Sequence, residues 1–151
     1  MKWLALVGIA LVAMKWLALV GIALVAMVVL VVIIGYFLPV KHVATRSARL
    51  RRTPEQVWAV IIDPPKDGVR YEQVEVQPPR RLVTRIADKN LPYGGTWTYQ
   101  IAPEDNGCSL VITENGEVYN PFFRFVSRFV IGHTATIDNY LKGVRARLGE
   151  S

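Results

Sequence analysis

Hydrophobic and polar positions divide the chain into two unlike parts. Residues 3–38 hold one charged side chain, Lys15, whereas all 12 acidic and 16 of the 18 basic residues fall within 41–151. From Trp16 to Leu38 there are 23 residues without a charge. As a helix rising ~1.5 Å per residue, such a run covers roughly 34 Å, enough for a hydrocarbon core of ~30 Å. The pattern predicts one transmembrane helix over 16–38. Lys15 can snorkel to the headgroups, Trp16 and the Tyr36-Phe37 pair suit the two aromatic belts, and Pro39 marks the exit.

The preceding segment, residues 1–15, is a duplication: MKWLALVGIALVA at 1–13 recurs letter for letter at 14–26. Two apolar copies do not make a stacked repeat fold, so the identity points to a recent duplication or to an alternative start at Met14. The first copy is too short to cross alone. It is expected to lie at the interface, to be dispensable, or to extend a tilted helix. A cleaved signal peptide is the rival reading, but the 23-residue run exceeds the usual apolar region and no clear small-x-small site precedes Lys41. Lys41, Arg46, Arg49, Arg51 and Arg52 follow the span, so positive-inside counting favours a cytoplasmic C-terminal domain. The short basic N-terminus of a signal anchor argues for the opposite orientation, which stays open.

Within 39–151 the period alternates between strand and helix. Residues 42–51 read as a strand. Thr53-Pro54-Glu55-Gln56 then gives a cap, a proline at the first helical position and a capping-box glutamine, and Val57, Trp58, Val60 and Ile61 form an apolar face that Asp63-Pro64-Pro65 ends. Tyr71–Val76 and Arg81–Ala87, joined by Pro78-Pro79, form a hairpin. Thr96–Ile101 alternates, which places Trp97, Tyr99 and Ile101 on one face. Glu104-Asp105-Asn106-Gly107 turns into Ser109–Val118, with Leu110 and Ile112 on one side. Asn120-Pro121 opens a long helix predicted to run to about Leu148 before Gly149. Phe122, Val126, Phe129, His133, Ile137, Tyr140, Val144 and Leu148 line one stripe of it, opposite Arg124, Arg128, Asp138, Lys142 and Arg145. The expectation is an α+β domain with the last helix lying across an antiparallel sheet.

Composition removes several classes. A disordered acidic chain, a multidomain enzyme and a polytopic transporter are excluded by length and by the single long apolar stretch. One cysteine, Cys108, excludes an intramolecular disulfide and a cysteine zinc cluster, and its place at a hairpin tip without a nearby histidine argues against a nucleophile. The basic excess next to the span suits anionic headgroups, and no interleaving of basic residues with exposed aromatics suggests nucleic acid. The glycines form no phosphate loop, and the sequence carries no sign of a nucleotide, metal or haem, so no cofactor is expected. His42 and His133 stand far apart in sequence, no carboxylate sits at helical spacing from His133, and Glu114 and Glu117 are expected to pair with Arg81 or Arg85.

In order, the Thr-Pro-Glu-Gln-Val-Trp-Ala-Val-Ile-Ile-Asp stretch, the Glu-Val-Gln-Pro-Pro-Arg-Arg-Leu-Val turn, Gly-Gly-Thr-Trp-Thr-Tyr and the Asn-Gly-Cys-Ser-Leu-Val-Ile-Thr-Glu-Asn-Gly-Glu hairpin precede the closing helix. This set, over roughly residues 42–148, resembles the START-like SRPBCC superfamily, nearest to its polyketide cyclase/dehydrase and lipid-transport group. The resemblance implies a helix-grip fold, a sheet curled round the last helix with a hydrophobic cavity between them. Only Pro64-Pro65-Lys66-Asp67-Gly68 separates the first helix from the next strand, so a short helix and two strands of the family pattern are missing here. The resemblance implies a pocket for a hydrophobic small molecule or lipid, walled by Trp97, Tyr99, Ile101, Phe122, Val126, Phe129, His133, Ile137 and Tyr140. No base with an orienting partner is evident, so no catalytic residue is assigned and binding is preferred to catalysis. The alternatives are a cyclase or dehydratase with His133 or Tyr140 as acid/base, and a structural or interaction module, including a truncated nonfunctional copy. Expected partners are the bilayer, through residues 16–38, and the apolar ligand; the oligomeric state is left open.

Overall fold

The computed structural model describes residues 2–63 and 68–150, with side chains from residue 11 onward. Pro64-Pro65-Lys66-Asp67, part of the expected helix stop and of the shortened connection, lie outside the described residues. The first element is helix α1 (Lys2–Phe37), which runs without a break from the first copy of the duplicated segment into the second. The chain continues with β1 (Lys41–Leu50), α2 (Pro54–Ile61), β2 (Tyr71–Gln77), β3 (Arg81–Ile86), β4 (Tyr93–Glu104) and β5 (Gly107–Val118). A short helix α3 (Pro121–Val126), a π-helical turn (Ser127–Ile131) and helix α4 (Ala135–Arg147) close it.

The five strands form one antiparallel sheet in the order β1-β5-β4-β3-β2. Local chemistry explains several boundaries. Thr53 caps α2 through the Gln56 amide while the Gln56 side chain accepts from the Thr53 amide, the reciprocal bonds that a capping box supplies. The β4–β5 hairpin pairs Glu104 with Gly107, which leaves Asp105 and Asn106 as the two loop residues. Asn-Gly is therefore not the central pair of the turn.

Strand alternation sends Ala44, Ala48 and Leu50 of β1, Tyr99 and Ile101 of β4, and Cys108, Leu110 and Ile112 of β5 to one face. There they meet Val57 and Ile61 of α2 and Ile137, Leu141, Val144 and Leu148 around α4. Leu82, Leu110, Ile112, Ile137 and Val57 are fully buried, and burying such side chains stabilises by about 1.5–3 kcal/mol each. Arg46 on β1 grips the start of α4, with Nε on Asp138 at 2.8 Å and Nη2 on the Thr134 hydroxyl at 2.9 Å. Arg52 Nε donates to the Leu148 carbonyl at 3.1 Å and holds the other end.

The single closing helix expected over 121–148 is not formed. Gly132, with φ of 81° and ψ of 142°, separates the π-helical turn from α4. Only the α4 part of the expected stripe reaches the core, with Leu141 added to it, while nothing in α3 or the π-helical turn is buried. Phe122 and Phe129 stand 37% and 59% exposed.

Candidate functional site

Between the upper half of the sheet and the α3–α4 corner lies a cavity of about 530 Å³. Its walls are largely apolar: Trp97 and Tyr99 from β4, Ile86 from β3, Phe123 and Val126 from α3, Ile131 from the turn and Tyr140 from α4. The aromatics brace one another, with Tyr140 at 5.5 Å from Trp97, edge to face, and at 5.7 Å from Tyr99. Pairs at such separations add about 0.5–1.5 kcal/mol beyond their buried area.

One end of this cavity is polar. The His42 ring, from the start of β1, stacks on His133 beside the Gly132 break, with centroids 4.0 Å apart and planes 18° from parallel. Gly116 pairs with His42 across the strands, and a Cβ there would overlap the imidazole. His42 Nε2 lies 3.7 Å from Glu114 Oε1. Among the described residues three buried polar atoms have no hydrogen-bond partner: Glu114 Oε2, His133 Nδ1 and Tyr140 Oη. All three residues line the same cavity. A buried polar group left unpaired costs about 1–3 kcal/mol, and three such atoms face one largely apolar chamber.

Burial works against charge throughout the cluster. Burial pushes the Glu114 carboxyl up, an effect that the Trp97 indole partly offsets. His42 is pushed down by burial and then by the neighbouring His133; His133 is pushed down by burial and then by Arg128. Burial raises the Tyr140 phenol. The nearby Tyr99 hydroxyl eases that rise, although Tyr140 Oη closes no hydrogen bond. A neutral imidazole has one donor and one acceptor, a carboxyl accepts and in its protonated form also donates, and a phenol does both. The site can therefore hold an apolar body by its walls and a carbonyl, hydroxyl or carboxyl group at its polar end.

Of the residues named from sequence, Trp97, Tyr99, Val126, His133 and Tyr140 line the cavity. Ile101 and Ile137 lie behind it in the core, and Phe122 and Phe129 stand outside, because the chain breaks at Gly132. The expected pairing of Glu114 and Glu117 with Arg81 or Arg85 does not form. Arg81 binds Glu75 at 3.0 Å and Arg85 binds Glu72 at 2.8 Å across the β2–β3 hairpin, while Glu117 meets Lys41 and the Tyr119 hydroxyl. His42 and Glu114 were missed from the sequence, yet parity carried the signal. His42 shares its strand face with Ala44, Ala48 and Leu50, and Glu114 with Leu110 and Ile112.

Two other depressions lack this character. One of about 1080 Å³ is bounded by Arg49, Arg51, Arg52, Glu104, Asp105 and Glu150, and one of about 590 Å³ lies beside Lys41, Arg85, Asp88 and Lys89. Neither contains an unpartnered buried atom from the cluster. Cys108 is 1% exposed and burial raises its thiol, which suits a core residue. Among the described residues no group of three or more His, Cys, Asp or Glu side chains could hold a metal ion.

No protein-family model and no curated protein sequence matches the chain. Solved structures do. A conserved protein of Geobacillus kaustophilus is similar with a TM-score of 0.58 and 16% identity, over 72% of this chain and 95% of its own. A Mesorhizobium loti protein gives 0.55 at 12% identity, covering 72% and 97%, and a Rhizobium leguminosarum protein gives 0.50 at 12%, covering 66% and 91%. The likeness shows a shared α+β fold. Ahead of it, Leu11–Phe37 is long and apolar enough to cross a membrane, and its most apolar stretch buries nothing against the protein.

Proposed function

We propose that the chain is a membrane-anchored domain of the START-like, helix-grip type that binds a hydrophobic small molecule or lipid carrying one polar group. The observation that carries this reading is the trio of unpartnered atoms on Glu114, His133 and Tyr140 around one largely apolar cavity. Its shape and chemistry suit an acyl or polyketide-like body whose oxygen takes the vacant hydrogen bonds. The anchor is α1, whose apolar length exceeds a bilayer core. Tethering raises the effective concentration of cargo dissolved in the same membrane.

A second reading is favoured by the His42-Glu114 approach of 3.7 Å with His133 stacked behind. An acid and a base in one chamber suit proton abstraction next to a ligand carbonyl, the chemistry of a cyclase or dehydratase.

One experiment tests both. The full chain in nanodiscs is titrated with a fluorescent fatty acid in deuterated buffer, and the recovered ligand is weighed by mass spectrometry. Saturable binding is expected, abolished by Thr136→Phe, which fills the cavity, and weakened about tenfold by Tyr140→Phe as one hydrogen bond is lost. Binding that ignores both changes sinks the pocket. Deuterium entering beside the carboxyl only when Glu114 and His133 are intact turns the reading to catalysis.

A further inference from the structure

The segment after β5 is the most apolar exposed surface of the domain. Phe123, Phe129, Val130 and Ile131 are 48%, 59%, 71% and 59% exposed. Residues 119–137 contain two arginines and no acidic side chain. An aromatic, basic, acid-free helical segment suits the boundary between headgroups and acyl chains.

Its position says what covers it. Arg124 of α3 donates to five carbonyls: Nη1 to Gly35, Tyr36 and Leu38 at 3.2, 3.3 and 3.1 Å, Nε to Val118 at 3.0 Å, and Nη2 to Tyr119 at 2.9 Å. Gly35 and Tyr36 lie in the last turn of α1 and Leu38 just beyond it, where a helix leaves its final carbonyls short of intrahelical donors. Gly35 lies so close to α3 that a Cβ there would overlap the Pro121 carbonyl oxygen. Tyr36 and Phe37 beside it are 70% and 81% exposed. The apolar surface is thus continuous with the last turn of the apolar helix and fastened to it by a guanidinium.

We propose that α3 and the π-helical turn lie in the interface of the bilayer that α1 crosses, so that the cavity opens onto lipid. This rests on the reading of α1 as a span. Phe123, Val126 and Ile131 line the cavity as part of the same segment. Cargo passing between them leaves the membrane without crossing water, and the segment is the gate between acyl chains and the Glu114-His133 end. The opposite end of the sheet, at Asp105-Asn106, lies ten β1 residues away, roughly 33 Å.

The test needs no cargo, so its result is independent of ligand binding. A bimane fluorophore is placed on Val130→Cys, on Val25→Cys within α1 and on Asn106→Cys at the far hairpin, in the full chain, where Cys108 is buried from the reagent. Each is reconstituted in nanodiscs of lipids brominated along the acyl chains, which quench only fluorophores that contact them. The expected result is loss of most fluorescence at positions 25 and 130 and none at 106. Quenching at 25 with position 130 as bright as 106 overturns the interfacial placement and leaves the span standing. A position 130 that is unquenched because a second copy covers it, seen by cross-linking between chains, overturns it equally. An unquenched position 25 removes the span and this proposal with it.

Discussion

Glu114 and the two histidines place opposite pH slopes on one small cluster. Burial raises the Glu114 carboxyl above its ordinary 4.5, so the unfolded chain gives up this proton first and stability falls as pH rises through the folded value. The imidazoles are lowered from 6.5, so the unfolded chain binds protons first and stability is lost as pH falls below 6.5 toward the folded values. Glu114→Gln should therefore gain on the wild-type chain as pH rises from 4.5 and remove the alkaline-side loss, while leaving the histidine slope intact. Thermal unfolding of both chains in nanodiscs across pH 4.5–8 measures it; a difference that does not grow with pH refutes the buried-carboxyl account. At this scale the sequence was partly legible. Alternation put His42 and Glu114 on the inner faces of their strands, but the stack on His133 joins residues 91 positions apart, and no local pattern encodes it.

Among the elements, those whose chemistry is local followed the sequence, as the Thr53 capping box and the β2–β3 hairpin show. The closing helix did not, although apolar spacing of three and four continues across residues 122–148. The pattern has two owners: Ile137, Val144 and Leu148 serve the core, and Phe129 serves an outer surface. Gly132 changes the direction of the chain between them. Its φ of 81° with ψ of 142° is a conformation that side chains other than glycine avoid, and nothing within 4 Å would meet a Cβ. Gly132→Ala should thus destabilise by about 1–3 kcal/mol through the backbone alone. A chemical denaturation midpoint unchanged from wild type would show that the corner relaxes without loss.

At the scale of the whole molecule, the Arg124 guanidinium and the close approach of Gly35 to Pro121 fasten α1 to the domain. A helix of 36 residues is about 54 Å long, more than a bilayer core needs, so its C-terminal turn can remain at the surface beside α3. Arg124→Gln removes the charged donor from carbonyls of both parts, and Gly35→Val forces α1 away from Pro121. Either change should broaden the distance distribution between spin labels on Val29→Cys and Val43→Cys, which are exposed, while the sheet persists by circular dichroism. A distribution as narrow as that of the parent pair would mean that the junction is held by other contacts.

The sequence by itself determined the two-part plan, the apolar helix, the strand faces that alternation dictates and the α2 cap, because each depends on residues within one or two turns of the chain. Tertiary structure alone decided that two distant histidines and a carboxyl share one cavity wall, that the last helix breaks at Gly132, and that Arg124 closes the end of α1. Those outcomes depend on which surfaces meet across the sheet. Side-chain period records only that a face is apolar, not which neighbour buries it.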